Sequence, residues 1–78
     1  QYNIDKVLEI ADHIVERCAE PVIFEELLKR LFDDYGLTLT FEQYALVGST
    51  VKSYLAWLKD TGRLTVLFED NRLLWRRA

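Results

Sequence analysis

Up to Leu58 the apolar residues of this chain return every three or four positions; past Gly62 they gather into two short runs around the polar stretch Glu69-Asp70-Asn71. Spacings of three and four put side chains on one stripe of an α-helix, whereas short runs rich in Val, Leu, Phe and Trp around a polar turn suit a hairpin. The change of pattern restricts the chain to helices first and a small β element last.

The first stripe is Ile4, Val7, Leu8, Ala11, Ile14, Val15 and Cys18, with Asn3 placed to cap the start and Asp5, Glu9, Asp12, Glu16 and Arg17 on the opposite, solvated face. Pro21 prevents this helix from continuing. A second helix is expected from Phe24 to Tyr35, with Phe24, Leu27, Leu28, Leu31 and Phe32 inward. Glu25 and Glu26 suit its positive N-terminal end, Gly36 its left-handed C-terminal position, and Glu25 with Lys29 an i,i+4 contact. Thr40 and Gln43 fit a capping box, which starts a third helix near Phe41. Its inner face is Tyr44, Val47, Gly48, Val51, Tyr54, Leu55 and Leu58, and Gly62 ends it. Gly48 costs about 1 kcal/mol relative to Ala in a helix interior, so it marks either a close approach of another backbone or a tolerated glycine. "RLTVLF" and "RLLWRRA" then form the hairpin. The expected fold is mainly α with a small β-hairpin: three helices followed by a two-stranded wing, the order of a winged helix-turn-helix, in one domain over residues 1–78.

With 78 residues, half of them apolar and ten aromatic, the chain has material for one core. Its net charge of −3 argues against a free-standing nucleic-acid binder, since such domains carry a basic excess that displaces condensed counterions. Residues 1–36 hold nine acids against four bases, and residues 37–78 hold six bases against four acids. Any anion-binding footprint therefore belongs to the second half. The single cysteine forms no internal disulfide, and a reducing cytoplasm is the expected location, with no membrane partner. The chain opens on Gln1 and holds no Met, so we read it as the C-terminal fragment of a longer polypeptide, a processed small protein being the alternative.

Metal sites need several His, Cys or carboxylate ligands converging on one ion. His13 and Cys18 stand five positions apart on different faces of one helix, so we assign no metal site; His13 reads as a solvated residue and Cys18 as a small core residue. Ser49, Ser53 and Cys18 lack an activating base, "VGST" lies inside a helix, and the adjacent Asp33 and Asp34 point apart as solvent residues. We assign no catalytic and no cofactor-binding residue.

Binding is the remaining class. Lys52 and Lys59 on the third helix, with Arg63, Arg72, Arg76 and Arg77 around the hairpin, are the candidate nucleic-acid or substrate contacts. Their plainer roles are to complement a helix C-terminus and to deter strand aggregation. Trp57, off the apolar stripe, and Trp75, on the last strand, are either core residues or anchors of a domain interface.

The stretch "FDDYGLTLTFEQYALVGSTVKSYLAWLKDTGRLTVLFEDNRLLWRR" resembles the winged-helix domain at the C-terminal end of many metallo-β-lactamase-fold hydrolases, and the parallel covers about residues 4–77. Its most telling parts are "EELLKRLFDDYGL", "YALVGSTVKSYLAWLKDTGRL" and the closing "NRLLWRR". The resemblance implies an upstream catalytic domain with a His-x-His-x-Asp-His motif that binds zinc and activates water. The winged helix of such proteins packs beside that site, helps close the substrate cleft and binds substrate or a second subunit. No His-x-His-x-Asp-His occurs here, so the zinc would belong to the parent's catalytic domain. The expectation is a non-catalytic accessory domain whose partners are that catalytic domain and, as a further candidate, a second copy in a homodimer. The alternatives are an independent winged-helix DNA-binding transcriptional regulator and a protein-interaction module of the same fold.

Overall fold

The computed structural model describes residues 4–78. Its elements are α1 (Ile4–Arg17), β1 (Val22–Ile23), α2 (Phe24–Asp34), α3 (Phe41–Asp60), β2 (Leu64–Glu69) and β3 (Arg72–Arg77). The three helices match the three stripes, and their ends follow backbone chemistry. At α2 the Leu37 N–H donates to the Phe32 carbonyl at 2.8 Å and the Gly36 N–H to Asp33 at 3.2 Å, with Gly36 at φ 67. At α3 the same pair of bonds runs from Arg63 to Leu58 (2.9 Å) and from Gly62 to Lys59 (3.1 Å), with Gly62 at φ 83. Both are Schellman closures, which place a residue in the left-handed region, where glycine has no Cβ to clash. The start of α3 is fixed by the Thr40 hydroxyl, which accepts the Gln43 N–H at 3.2 Å. The expected Asn3 cap of α1 lies outside the described residues.

The sheet has three strands, where the hairpin alone was expected. β1 pairs antiparallel with β3 on the side away from β2, giving the order β1-β3-β2, with Val22 opposite Trp75 and Ile23 opposite Leu74. Two residues are too short to display a period. β1 exists because β3 offers it an edge, and it hands the chain directly to α2. The hairpin closes on Asp70 (φ 53) and Asn71 (φ 61), a two-residue loop with both centres left-handed, as a type I′ turn requires.

The core is Ala11, Ile14, Val15 and Cys18 from α1, Val22, the α2 stripe Leu27, Leu28, Leu31 and Phe32, then Val51, Leu55, Leu58 and Leu64. Three expectations need correction. Ile4 and Leu8 are exposed (58% and 46%), because the first two turns of α1 project beyond the core. Lys29 pairs forward with Asp33 at 2.8 Å, and Glu25 instead accepts the Tyr44 hydroxyl. Tyr44, expected on the inner face of α3, is exposed (36%). Of the two readings of Gly48 the tolerated glycine fits: a Cβ there would find only the Leu28 and Phe24 side chains, each at an ordinary 3.8 Å.

Candidate interaction site

Asp34 departs from its sequence reading. Its carboxylate receives Arg17 through Nε at 2.6 Å and Nη2 at 2.5 Å, and His13 Nε2 lies 2.7 Å away. The Asp34 side chain is only 19% exposed. The Arg17 fork, seconded by His13, holds its carboxyl down to about 2. His13 also stands edge-on to Tyr35, with ring centroids 5.4 Å apart. The cluster ties the C-terminal half of α1 to the end of α2. Glu16 approaches His13 no closer than 3.8 Å, and Asp34 is saturated by the guanidinium. Among the described residues no three His, Cys, Asp or Glu side chains are grouped to hold a metal ion.

The six candidate cations fall into three places. Lys52 and Lys59, seven positions apart, share one outward face of α3, where the Lys52 ammonium lies 5.0 Å from the Phe24 ring centroid. Arg63, Arg76 and Arg77 lie at the base of the hairpin, with Arg76 opposite Thr65 and Arg77 opposite Leu64, although as strand neighbours Arg76 and Arg77 project to opposite faces. Arg63 is further tied to Asp12 of α1 at 2.9 Å, an arrangement that holds α1 to the start of β2. Arg72 sits at the far end beside the turn, 3.6 Å from Asp70. Strand rise of about 3.3 Å per residue keeps Arg72 well away from Arg76.

A second outward face of α3 carries Leu46, Thr50, Ser53 and Trp57 at spacings of four, three and four. Leu46 is 69% exposed and Trp57 42%. The hydroxyls between them turn back on their own helix: Thr50 donates to the Leu46 carbonyl at 3.1 Å and Ser53 to Ser49 at 3.3 Å. What this face offers outward is therefore mostly carbon. Beside it runs an apolar groove of about 410 Å³, lined by Ile10 of α1, Tyr35 and Leu37 at the end of α2, and Val47 and Tyr54 of α3, with Lys6 also in its wall. A neighbouring hollow of about 290 Å³ shares Thr50 and Tyr54 and adds Val7 and Trp57. Together they form one trough between α1 and α3.

Of the two tryptophans, Trp57 opens onto this trough, while Trp75 is half-buried against the core, opposite both Val22 and Val66. Leu46 was missed in the sequence although its signal was present: it stands eleven residues from Trp57, three helical turns along the same line. Phe68, 74% exposed near the hairpin tip, was also missed.

No family model matches the chain, and no solved structure matches it. Among curated proteins it is 30% identical over 74 residues to elongation factor P of Helicobacter hepaticus, an alignment covering 88% of this chain and 40% of that protein. The chain thus spans about 40% of the length of that relative, which is too little to fix a family. Among the described residues no helix is long and apolar enough to cross a membrane.

Proposed function

We propose that this chain is a winged-helix domain of a zinc-dependent hydrolase with the metallo-β-lactamase fold, non-catalytic itself, docked beside the catalytic domain through the trough between α1 and α3. Three helices with a three-stranded antiparallel sheet, in the element order α1-β1-α2-α3-β2-β3 and sheet order β1-β3-β2, support the winged-helix reading, in which β2 and β3 would be the wing. The hydrolase parent rests on the sequence resemblance. A docking role for α3 rests chiefly on one observation: the face bearing Leu46 and Trp57 is exposed, apolar and continuous with the trough, and its hydroxyls are already satisfied. Partly exposed aromatic anchors beside a concave apolar surface suit a protein partner. Base reading would instead need free polar donors on that helix and cations gathered near it, and here the cations are divided among three places.

Lys52 and Lys59, together on the other face of α3, favour the DNA-binding regulator as the second reading. Titration of labelled duplex DNA with the purified chain separates the two. Weak binding that falls away as salt rises is expected, together with no hydrolase activity on added zinc. Sub-micromolar, sequence-selective binding at physiological salt would make the regulator the correct reading. In-frame codons upstream of Gln1 should encode a His-x-His-x-Asp-His segment, and a start codon a few residues upstream would remove the hydrolase parent.

A further inference from the structure

The trough between α1 and α3 reaches deeper than a docking face needs. Its larger part, about 410 Å³, has Leu31, Phe32 and Val51 in its lining, none more than 5% exposed, so it descends to the core itself. A close-packed interior leaves few voids larger than a water molecule, and this volume falls within the range of small-molecule sites, roughly 300–1,000 Å³. The neighbouring hollow continues it past Thr50 and Tyr54 to Val7 and Trp57. From Val47 to Trp57 the wall is ten residues of α3, about 15 Å of helix. The space is long as well as deep.

Its polarity is one-sided. Among the described residues that line the two parts, Lys6 is the one charged side chain. Its ammonium stands 5.9 Å from the Tyr35 ring centroid, whereas Trp57 belongs to the other part. Glu9, 3.8 Å from that ammonium, lines a separate hollow. The Thr50 and Ser53 hydroxyls are taken up by carbonyls of α3 itself, so little between Lys6 and Trp57 calls for a polar ligand.

We infer that the trough is a binding site for a linear amphiphilic anion, an acyl carboxylate of about twelve carbons, long enough when extended to span that wall. The carboxylate pairs with Lys6 beside Tyr35, and the tail runs over Val47 and Tyr54 to Trp57. A single cation at one end selects an anion over a cationic amphiphile. Walls of carbon select a hydrocarbon chain over a sugar or a nucleotide, whose polar groups would be left without partners. The inference goes beyond the docking of a catalytic domain and does not rest on it, because it concerns binding to this chain alone.

Calorimetric titration of the chain with dodecanoate, kept below its micelle concentration, tests the inference. Dodecyltrimethylammonium is the control, with an equal tail and the opposite charge. A chain of net charge −3 attracts the cation wherever binding is unspecific, so specific and unspecific binding predict opposite orders. The expected result is one dodecanoate per chain, bound roughly fivefold more tightly than the ammonium. Decanoate, two methylenes shorter, should bind roughly tenfold more weakly. Lys6→Gln should abolish the preference for the carboxylate. Thr50→Glu, at an exposed position that lines both parts of the trough, should weaken dodecanoate roughly tenfold by placing a like charge along the tail. Absence of binding, several dodecanoates per chain, or equal or tighter binding of the ammonium would overturn the inference. So would a preference for dodecanoate that survives Lys6→Gln, or an affinity that Thr50→Glu leaves unchanged.

Discussion

Arg17 grips Asp34 in a fork, Nε at 2.6 Å and Nη2 at 2.5 Å, and so joins two helices whose residues are seventeen positions apart in the chain. A planar guanidinium meeting a carboxylate through two parallel bonds is directional in a way a lysine contact is not. His13 on the same carboxylate adds a third contact at 2.7 Å. The α1–α2 angle is thereby held from the surface while Ile14, Leu27 and Leu31 hold it from within.

The first prediction concerns acid. In the folded chain the Asp34 carboxyl is held at about 2, below its ordinary 3.8, so folding favours its charged form. Stability from this group is complete above pH of about 4 and is lost as pH falls toward 2. Asp34→Asn should lower the urea midpoint at neutral pH and flatten the loss of stability between those values. Urea titrations of both proteins across that range check it; equal slopes would show that the fork does not carry the acid sensitivity.

The second concerns Gly48. It lies in α3 with a helical φ, and a methyl group there would touch Leu28 and Phe24 at ordinary contact distance. Gly48→Ala should therefore stabilise the fold by about 1 kcal/mol, from helix propensity and a less flexible unfolded chain. Thr40→Ala, by contrast, removes the hydroxyl that caps the same helix and should cost about 1 kcal/mol. Denaturant midpoints measured on the two variants should move in opposite directions.

The helices were legible because their information is local. Three apolar stripes, Thr40, Gly36 and Gly62 each act within a few residues, and the structure has Phe32–Leu37 and Leu58–Arg63 closed as those glycines require. Asp70 and Asn71 likewise announced their turn. β1 was not legible, since Val22 and Ile23 become a strand only when Trp75 and Leu74 are beside them. The Asp34 cluster was hidden for the same reason, its partners lying one helix away. The trough needs Ile10, Leu37 and Tyr54 from three segments, which no single period reveals. Among the candidate cations, sequence already set the two lysines on the third helix apart from the four arginines of the hairpin; the further separation of Arg72 from Arg63, Arg76 and Arg77 is a property of strand register.

Cys18 supplies the third prediction. It is fully buried at the end of α1, and burial pushes its thiol up to about 11, so almost no thiolate is present at neutral pH. The native chain should be inert to a thiolate-selective alkylating reagent and should react only through unfolding. The labelling rate should then rise with urea along the unfolding transition. A rapid reaction in native buffer would mean that the α1–β1 junction opens locally.

The two tryptophans give the last prediction, because their surroundings assign them opposite duties. Trp75 packs on the core between Val22 and Val66, and Trp75→Ala should destabilise the fold by about 3 kcal/mol, the lower end for a buried aromatic since it is only half-buried. Trp57, 42% exposed at the mouth of the trough, should tolerate Ala within about 0.5 kcal/mol. If the trough docks a protein partner, Trp57→Ala should instead weaken that association by about 2 kcal/mol or more, as for an interface anchor. Denaturation curves and calorimetric binding to the proposed partner, a catalytic domain of a parent hydrolase, measure the two effects separately. A Trp57→Ala chain that folds normally and binds that domain with unchanged affinity would take the docking role away from this face of α3.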